Sequence, residues 1–420
     1  MPTKYLKMIL NSPVYDVAQE TPLEKAPRLS DKLENNIFIK REDLQPVFSF
    51  KIRGAYNKIV QLSPSEKQRG VIAASAGNHA QGVALAAERL GIKATIVMPE
   101  TTPEIKVDGV KKFGARVILN GDDFSTAFAK AQEIANENSL VFIPPFDDPF
   151  VIAGQGTIAL ELLRQYTKSI HAIFVPIGGG GLIAGIGSYI KMVRPEIKII
   201  GVESDESASM YASIKKGRRI TLKNVGIFAD GVAVAQVGKE PFRLAKKVVD
   251  EIVLADVDQI CAAVKDLFED TRAIAEPSGA LAVAGMKNYI RDNKISSKTL
   301  IAINCGANVS FDRLRHISER ANYSEAREAL FAVTIPERKG SFLEFCKVLG
   351  KRSITEFNYR YSSPKEAHIF VGLGLTEGEN ERLKIQRVFQ QHGYETEDLT
   401  ENDMAKLHIR HMVGGHLNND

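Results

Sequence analysis

Residues 172–190 read AIFVPIGGGGLIAGIGSYI, and this stretch carries no charged side chain. Its length alone would suit a helix that spans a membrane. However, Pro176 and the consecutive glycines 178–181 disfavour a continuous helix, because each glycine costs about 1 kcal/mol in a helix interior. A β-branched run, a glycine loop and an apolar helical pattern fit the stretch better. The sequence therefore predicts a strand, a tight loop and a helix here, and no membrane segment.

The same alternation extends outward in both directions, from about Asn36 to Gly306. Helical patterns separate short apolar runs, and several of them end in glycine, as helix C-termini often do. This alternation predicts an α/β fold with parallel sheets, and the number of strands predicts two lobes with a ligand cleft between them. The predicted strands are NIFIKRE, GVIAASA, KATIVMP, ARVILN, LVFIPP, HAIFVPI, IKIIGVE, EIVLAD and TLIAINC.

The composition excludes several classes of protein. The 420 residues include 55 Lys and Arg against 51 Asp and Glu, and this small net charge of +4 gives no basic footprint for nucleic acid. Cys261, Cys305 and Cys346 are odd in number and widely spaced, which argues against a disulfide framework and against zinc. The N-terminal stretch MPTKYLKMIL lacks the apolar core of a signal peptide, so we expect a cytoplasmic protein.

The pattern changes after the polar, charged stretch at residues 313–327. The following segments read as strand, helix, strand, strand, helix and a terminal strand-like piece. A βαββαβ order of this length is typical of a ferredoxin-like α+β domain. We therefore expect an α/β body at residues 1–325 and a second domain at residues 326–420.

Three loops carry residues that are suited to chemistry. Lys51 follows an aromatic residue at a loop–helix junction, where desolvation would lower the pKa of its amine and make it nucleophilic; an ordinary surface lysine is the alternative. Residues 75–79, SAGNH, leave a strand and open a helix whose N–H groups suit a carboxylate or a phosphate, or serve as a simple helix cap. Residues 178–181 form a glycine nest of the kind that holds phosphate.

The glycine loop also fits a dinucleotide-binding fingerprint. Gly179, Gly181 and Ala184 match the spacing G-x-G-x-x-A. Glu203 ends the next strand at about the distance expected of an acid that binds ribose. The glycine spacing and Glu203 alone would therefore also fit a nicotinamide-dependent oxidoreductase, which is an alternative function.

Read together and in order, the motifs resemble pyridoxal-phosphate (PLP) enzymes of the tryptophan-synthase-β-like fold (fold type II), and within them the threonine and serine dehydratases. The C-terminal pattern is similar to the ACT-like regulatory domain of biosynthetic threonine deaminases. The segments that carry the resemblance are KREDLQPVFSFKIRGA (40–55), SAGNHAQG (75–82), MPETTPEIKVDGVKKFGA (98–115), PIGGGGL (176–182), ADGVAV (229–234), EPSGAL (276–281) and NCGANVSFDRLRHISER (304–320).

The resemblance implies a role for each position. Lys51 would be the catalytic residue that binds PLP covalently, with Phe50 against the ring. Asn78 would hold the 3′-oxygen of the ring, and Cys305 would face the pyridine nitrogen. The backbone that binds the phosphate would be that of Gly178, Gly179, Gly180, Gly181 and Leu182. The loop that binds the substrate carboxylate would consist of Ser75, Ala76, Gly77, Asn78 and His79.

The resemblance also implies the reaction, which is the conversion of L-threonine to 2-oxobutanoate and ammonia on the route to isoleucine. Isoleucine would regulate the enzyme through the C-terminal domain, with valine as a second candidate effector, and the family is commonly tetrameric. L-Serine is a second candidate substrate, so a serine dehydratase or racemase without isoleucine control is an alternative. Ala76 stands where racemases of the family carry a serine that moves a proton, which favours elimination.

No metal site is expected from the sequence. Relatives with a divalent-metal site pair the equivalent of Glu203 with an aspartate six residues later, where this chain has Ser209. The late histidines His408, His411 and His416 lack a cysteine or carboxylate partner at metal-ligand spacing.

Overall fold

The computed structural model describes residues 2–324, 328–361, 363–375, 378–400 and 402. The chain packs as two compact units that divide between Arg315 and His316. The boundary predicted at residue 325 and the histidines His408, His411 and His416 fall outside the described residues. None of the helices in the described part of the chain is long and apolar enough to cross a membrane.

Strands and helices alternate through the first unit. The strands are β1 (Leu23–Lys25), β2 (Asn36–Arg41), β3 (Val71–Ala74), β4 (Ala94–Met98), β5 (Arg116–Leu119), β6 (Val141–Phe142), β7 (Ala172–Pro176), β8 (Lys198–Ser204), β9 (Glu251–Ala255) and β10 (Thr299–Asn304). The helices up to Ser324 are α1 (Pro2–Leu10), α2 (Pro27–Lys32), α3 (Lys51–Val60), α4 (Pro64–Arg69), α5 (Asn78–Arg89), α6 (Glu104–Lys111), α7 (Phe124–Asn138), α8 (Pro149–Gln165), α9 (Gly181–Val193), α10 (Ser209–Lys216), α11 (Lys239–Val248), α12 (Val257–Thr271), α13 (Pro277–Asn293) and α14 (Phe311–Ser324).

Two sheets form the two lobes of the first unit. The larger sheet has the order β1-β2-β10-β7-β8-β9, in which only β1 pairs antiparallel with its neighbour. The smaller sheet has the order β5-β4-β3-β6, and all its pairs are parallel. The apolar strands β3 and β7 are buried at every position, as parallel strands covered on both faces must be. The predicted two-lobed α/β body is confirmed.

The second unit contains one antiparallel sheet covered by helices. Its strands have the order β12-β13-β11-β14. Phe389 packs on Phe331 and Phe345, with ring centroids 5.5 and 5.7 Å apart. The predicted ferredoxin-like βαββαβ order is confirmed. The elements are β11 (Glu328–Pro336), α15 (Ser341–Leu349), β12 (Ile354–Tyr361), β13 (Glu366–Gly374), α16 (Glu379–Gln391) and β14 (Glu395–Asp398).

A network of buried charges fixes α3 within the first unit. The guanidinium of Arg53 donates to Glu42 Oε1 at 2.8 Å and to Glu161 Oε2 at 3.0 Å. Lys40 Nζ donates to the same Glu161 oxygen at 2.6 Å, and all four side chains are fully buried. The two cations and two carboxylates balance, so each charge of this network has a partner of opposite sign within it.

Arg53→Ala leaves Glu42 without a guanidinium partner and removes one of the two cations beside Glu161. We expect this variant to lose about 3–5 kcal/mol of unfolding free energy, the cost of breaking a buried ion pair. Urea denaturation followed by far-ultraviolet circular dichroism measures the loss. The matched control is Arg28→Ala, which breaks an exposed pair with Glu269 and should cost less than about 1 kcal/mol. Equal losses in both variants would contradict the role assigned to the buried network.

Candidate active site

A pocket lies at the carboxyl ends of β7 and β10, which are neighbours in the larger sheet. Ligands commonly bind at this edge of parallel sheets, because the loops there converge. The glycine loop follows β7, and Cys305 follows β10 directly. The lining residues are Phe50, Lys51, Asn78, Pro145, Phe146, Gln155, Pro176, Gly178, Gly179, Gly180, Gly181, Leu182, Gly231, Val232, Glu276, Ser278 and Cys305.

Lys51 is the first residue of α3, and its amine points into this pocket. Its Nζ donates to the backbone oxygen of Pro145 at 3.4 Å and lies 5.2 Å from the ring centroid of Phe50. Burial lowers the pKa of the Lys51 amine to about 8, against the opposing effect of Cys305 and Glu276. A lysine with this pKa is about one-tenth unprotonated at pH 7, far more than an ordinary lysine, and nucleophilic and base chemistry require the unprotonated form.

The glycine loop leads from β7 into the N-terminus of α9. Gly180 adopts a left-handed conformation with φ 90°, and no side chain caps the first turn of α9. A Cβ added at Gly178 would lie 2.9 Å from the Val232 Cα, and one at Gly179 would lie 2.1 Å from the Phe146 ring. The loop therefore offers backbone N–H groups at a positive helix end, in a place where side chains do not fit.

Asn78 is the first residue of α5, and its amide lines the same pocket. Its Nδ2 donates to Glu276 Oε1 at 2.7 Å, and its Oδ1 accepts from Asn308 Nδ2 at 2.5 Å. Burial, followed by the charge of Asp230, raises the pKa of the Glu276 carboxyl to about 7. Glu276 belongs to the segment EPSGAL, but no role for it was predicted from the sequence. The pairing of Asn308 with Asn78 was not predicted either.

Cys305 lines the pocket beside the start of α13. Its Sγ donates to the backbone oxygen of Ser278 at 3.3 Å, and burial raises the pKa of the thiol, so it stays neutral. The Ser278 hydroxyl also lines the pocket and is buried without a hydrogen-bond partner in the described part of the chain. The Cys305 thiol and the Ser278 hydroxyl are therefore two neutral groups on the same side of the pocket. Only Cys305 was predicted from the sequence.

The loop of residues 75–79 contributes to the pocket wall mainly through Asn78. Ser75 Oγ accepts from the N–H of Gly77 at 3.2 Å, which shapes the turn before α5. His79 Nε2 lies 2.9 Å from the backbone oxygen of Ile143, and burial, with Lys51 nearby, lowers the pKa of His79 to about 3. A neutral imidazole held in this way is a structural support. Ser75, Ala76, Gly77 and His79 do not belong to the lining residues given above.

Glu203 does not serve as a free ribose-binding acid. Its two carboxylate oxygens accept the N–H groups of Met210 and Tyr211, at 2.8 and 2.7 Å, so it caps the start of α10. Burial raises the pKa of Glu203 to about 8. The dinucleotide interpretation of the glycine loop therefore loses its acidic partner. No cluster of three potential metal-ligating side chains occurs among the residues that the structure describes.

The fold and the pocket define a class of enzyme. The family model described as pyridoxal-phosphate dependent enzyme matches residues 14–306. A second model, described as the C-terminal regulatory domain of threonine dehydratase, matches residues 319–409. The two-lobed body is thus that of a fold type II PLP enzyme, with a regulatory domain after it.

Individual relatives narrow this class. The chain is 56% identical to a biosynthetic L-threonine dehydratase of Pasteurella multocida, over 99% of this chain and 80% of that protein. It is 54% identical to the corresponding protein of Escherichia coli, over 98% of this chain and 80% of that protein. A solved structure of processed threonine deaminase isoform 2 from Solanum lycopersicum shares 52% identity with a TM-score of 0.75, covering 76% of this chain and 93% of that one. The chain belongs to the family of biosynthetic threonine dehydratases.

The residues of the pocket fit PLP, the cofactor of this family. The glycine loop lines the pocket and leads into the N-terminus of α9 with no side chain of its own, so its backbone N–H groups suit a phosphate. Lys51 offers an amine of lowered pKa for the aldehyde. The unpartnered Ser278 hydroxyl and the neutral Cys305 thiol offer hydrogen-bonding groups that carry no charge, which suits an unprotonated ring nitrogen.

Gly178→Ala places a methyl group against the backbone of Val232, which cannot move as a side chain can. Relief of this overlap has to shift the loop and its N–H groups. The loss of one hydrogen bond to the charged phosphate, about 1.5–3 kcal/mol, should raise the dissociation constant for PLP roughly ten- to 150-fold. Absorbance titration of the cofactor-free protein with PLP measures it. Gly109→Ala is the control, because its Cβ would make ordinary contact with Gln81 at 3.6 Å. An unchanged dissociation constant in Gly178→Ala would show that the loop does not hold the cofactor.

Proposed function

We propose that this protein converts L-threonine to 2-oxobutanoate and ammonia with PLP as its cofactor, in the first step towards isoleucine. The observation that carries the proposal is the buried amine of Lys51, which shares one pocket with an uncapped glycine loop in a chain of this family. When bound, PLP supplies an electron sink for the negative charge that develops at the substrate Cα. We propose that Gly178, Gly179, Gly180, Gly181 and Leu182 hold its phosphate.

In this proposal, Lys51 has two tasks at the same atom. Its Nζ would hold the cofactor aldehyde, and the same amine, when free, would remove the Cα proton of the substrate as a general base. The lowered pKa of about 8 supports the second task, because part of the amine is unprotonated near neutral pH. The enclosing Phe50 and the Pro145 backbone restrict water around the amine.

The start of α5 is proposed to hold the substrate carboxylate. Residues 75–77 lead into the helix, and its N-cap residue Gly77 has no side chain to cap the first turn, so the N–H groups there suit an anion. Ala76 carries only a methyl group and cannot move a proton. We therefore infer elimination rather than racemisation, with L-threonine as the main substrate and L-serine as a second one.

Lys51→Ala removes both the covalent anchor and the base. We expect the rate of 2-oxobutanoate release from L-threonine to fall about a thousandfold. Lys130→Ala is the matched control, because Lys130 lies on the surface of α7, pairs with Glu133 and is not among the residues that line the pocket. Its rate should equal that of the unmodified protein. A Lys51→Ala variant that keeps more than a tenth of the activity would rule out this assignment.

We further propose that isoleucine inhibits the enzyme through its second unit, with valine as a second effector, in a cytoplasmic homotetramer. Support comes from the match of residues 319–409 to the regulatory domain of threonine dehydratase. The second unit has its own core, which includes Phe345 and Phe389. A separately packed domain suits regulation from a distance, because its ligand can shift an equilibrium without entering the active site.

Removal of residues 326–420 should abolish inhibition by isoleucine while leaving turnover of L-threonine. The first unit has its own hydrophobic core in each lobe, so the shortened chain is expected to fold. Initial rates of 2-oxobutanoate release with and without isoleucine, and separately with valine, give the comparison. Size-exclusion chromatography with light scattering tests the tetramer. A shortened chain that is still inhibited by isoleucine would contradict the proposal.

A further inference from the structure

Glu276 places a buried carboxylate in the pocket without capping its own helix. It stands at the N-cap position of α13, yet its side chain accepts no hydrogen bond from the first turn. Its Oε1 instead accepts from Asn78 Nδ2 at 2.7 Å, and the residue is 3% exposed. Asn78 opens α5 beside the smaller sheet, while Glu276 opens α13 beside the larger one. The bond therefore joins the two lobes across the pocket.

The opposite side of the Asn78 amide is fixed by Asn308. Asn308 Nδ2 donates to the backbone oxygen of Val47 at 2.8 Å and to Asn78 Oδ1 at 2.5 Å. Its own Oδ1 accepts from Gln81 Nε2 at 3.2 Å. A backbone carbonyl can only accept, so the Asn308 nitrogen must face Val47. It follows that Asn78 presents its oxygen to Asn308 and its nitrogen to Glu276, which gives the amide a single orientation.

The backbone of Gly306 restricts the position of the Glu276 carboxylate. A Cβ at Gly306 would lie 2.5 Å from Glu276 Oε1, so the carboxylate occupies the space that a side chain would need there. The backbone N–H of Glu276 also donates to the Gly306 oxygen at 3.1 Å. Gly306 thus leaves space for the Glu276 carboxylate because it has no side chain, and its backbone oxygen holds the backbone of Glu276.

We propose that Glu276 is a positioning residue, which acts with Asn308 to orient the Asn78 amide so that its second N–H is left for the bound cofactor. This inference rests on the proposed function, in which Asn78 holds the 3′-oxygen of PLP. An Asn78 Nδ2 has two hydrogens, and Glu276 accepts only one of them. The other is held ready by contacts that exist before the cofactor binds, and such preorganisation lowers the cost of binding.

The test uses the full-length protein and the variants Glu276→Ala, Glu276→Gln and Asn308→Ala. The readouts are the absorbance maximum and circular dichroism of bound PLP, and its dissociation constant. Glu276→Ala and Asn308→Ala should each shift the cofactor bands and weaken binding about tenfold, the effect of one lost hydrogen bond of about 1.4 kcal/mol. Glu276→Gln keeps an acceptor oxygen for Asn78 and should restore the unmodified spectrum. Far-ultraviolet circular dichroism confirms that each variant is folded.

The control is Asp266→Asn, which makes the same change of carboxylate to amide at a buried position paired with Lys32 and Lys287, away from the pocket. Its cofactor spectrum should match that of the unmodified protein. Unaltered spectra and affinity in both Glu276→Ala and Asn308→Ala would overturn the inference while leaving the proposed function intact. If Glu276→Ala does not fold, the cofactor spectrum and PLP affinity of Asn308→Ala alone test the inference. An unmodified protein that does not bind PLP would instead refute the proposed function.

Discussion

The desolvation of Lys51 is the constraint on which the rest of the site depends. Lys51 is the first residue of α3, and its buried amine lines the pocket. Burial lowers its pKa to about 8, and Cys305 and Glu276 oppose this only in part. The neighbouring His79, neutral because its own pKa is about 3, adds no competing charge. The pocket thus keeps one reactive amine among groups that are largely uncharged.

Desolvation of this kind requires that α3 be held rigidly, and close backbone packing achieves this. A Cβ at Gly154 on α8 would lie 2.5 Å from the Arg53 oxygen, and one at Gly82 on α5 would lie 3.1 Å from the Lys51 carbonyl carbon. Glycines therefore let helices approach α3 from both lobes. The Arg53 network then anchors the same helix two residues after Lys51. Arg53, which anchors the helix, and Lys51, the proposed catalytic residue, therefore lie in a single turn of α3.

Much of this architecture could be predicted from the sequence, because local patterns encode it. The apolar runs predicted all nine strands from β2 to β10, and the glycine loop and Lys51 both line the pocket. The strand β1 was missed, since three residues are too few to show a period. The orientation of Asn78 was missed as well, because its partner Glu276 lies 198 residues away along the chain. A contact between the lobes depends on how helices and strands distant in sequence pack together, and a single short motif contains no information on that packing.

Burial is proposed to make Lys51 the reactive amine of this pocket. The most direct measurement is the pH dependence of PLP attachment, trapped by borohydride reduction and located by peptide mass spectrometry. We expect Lys51 to be the labelled residue and its labelling to rise with a midpoint near pH 8, the pKa given by its burial. Labelling spread over surface lysines, or a Lys51 midpoint near the ordinary lysine value of about 10.4, would contradict it.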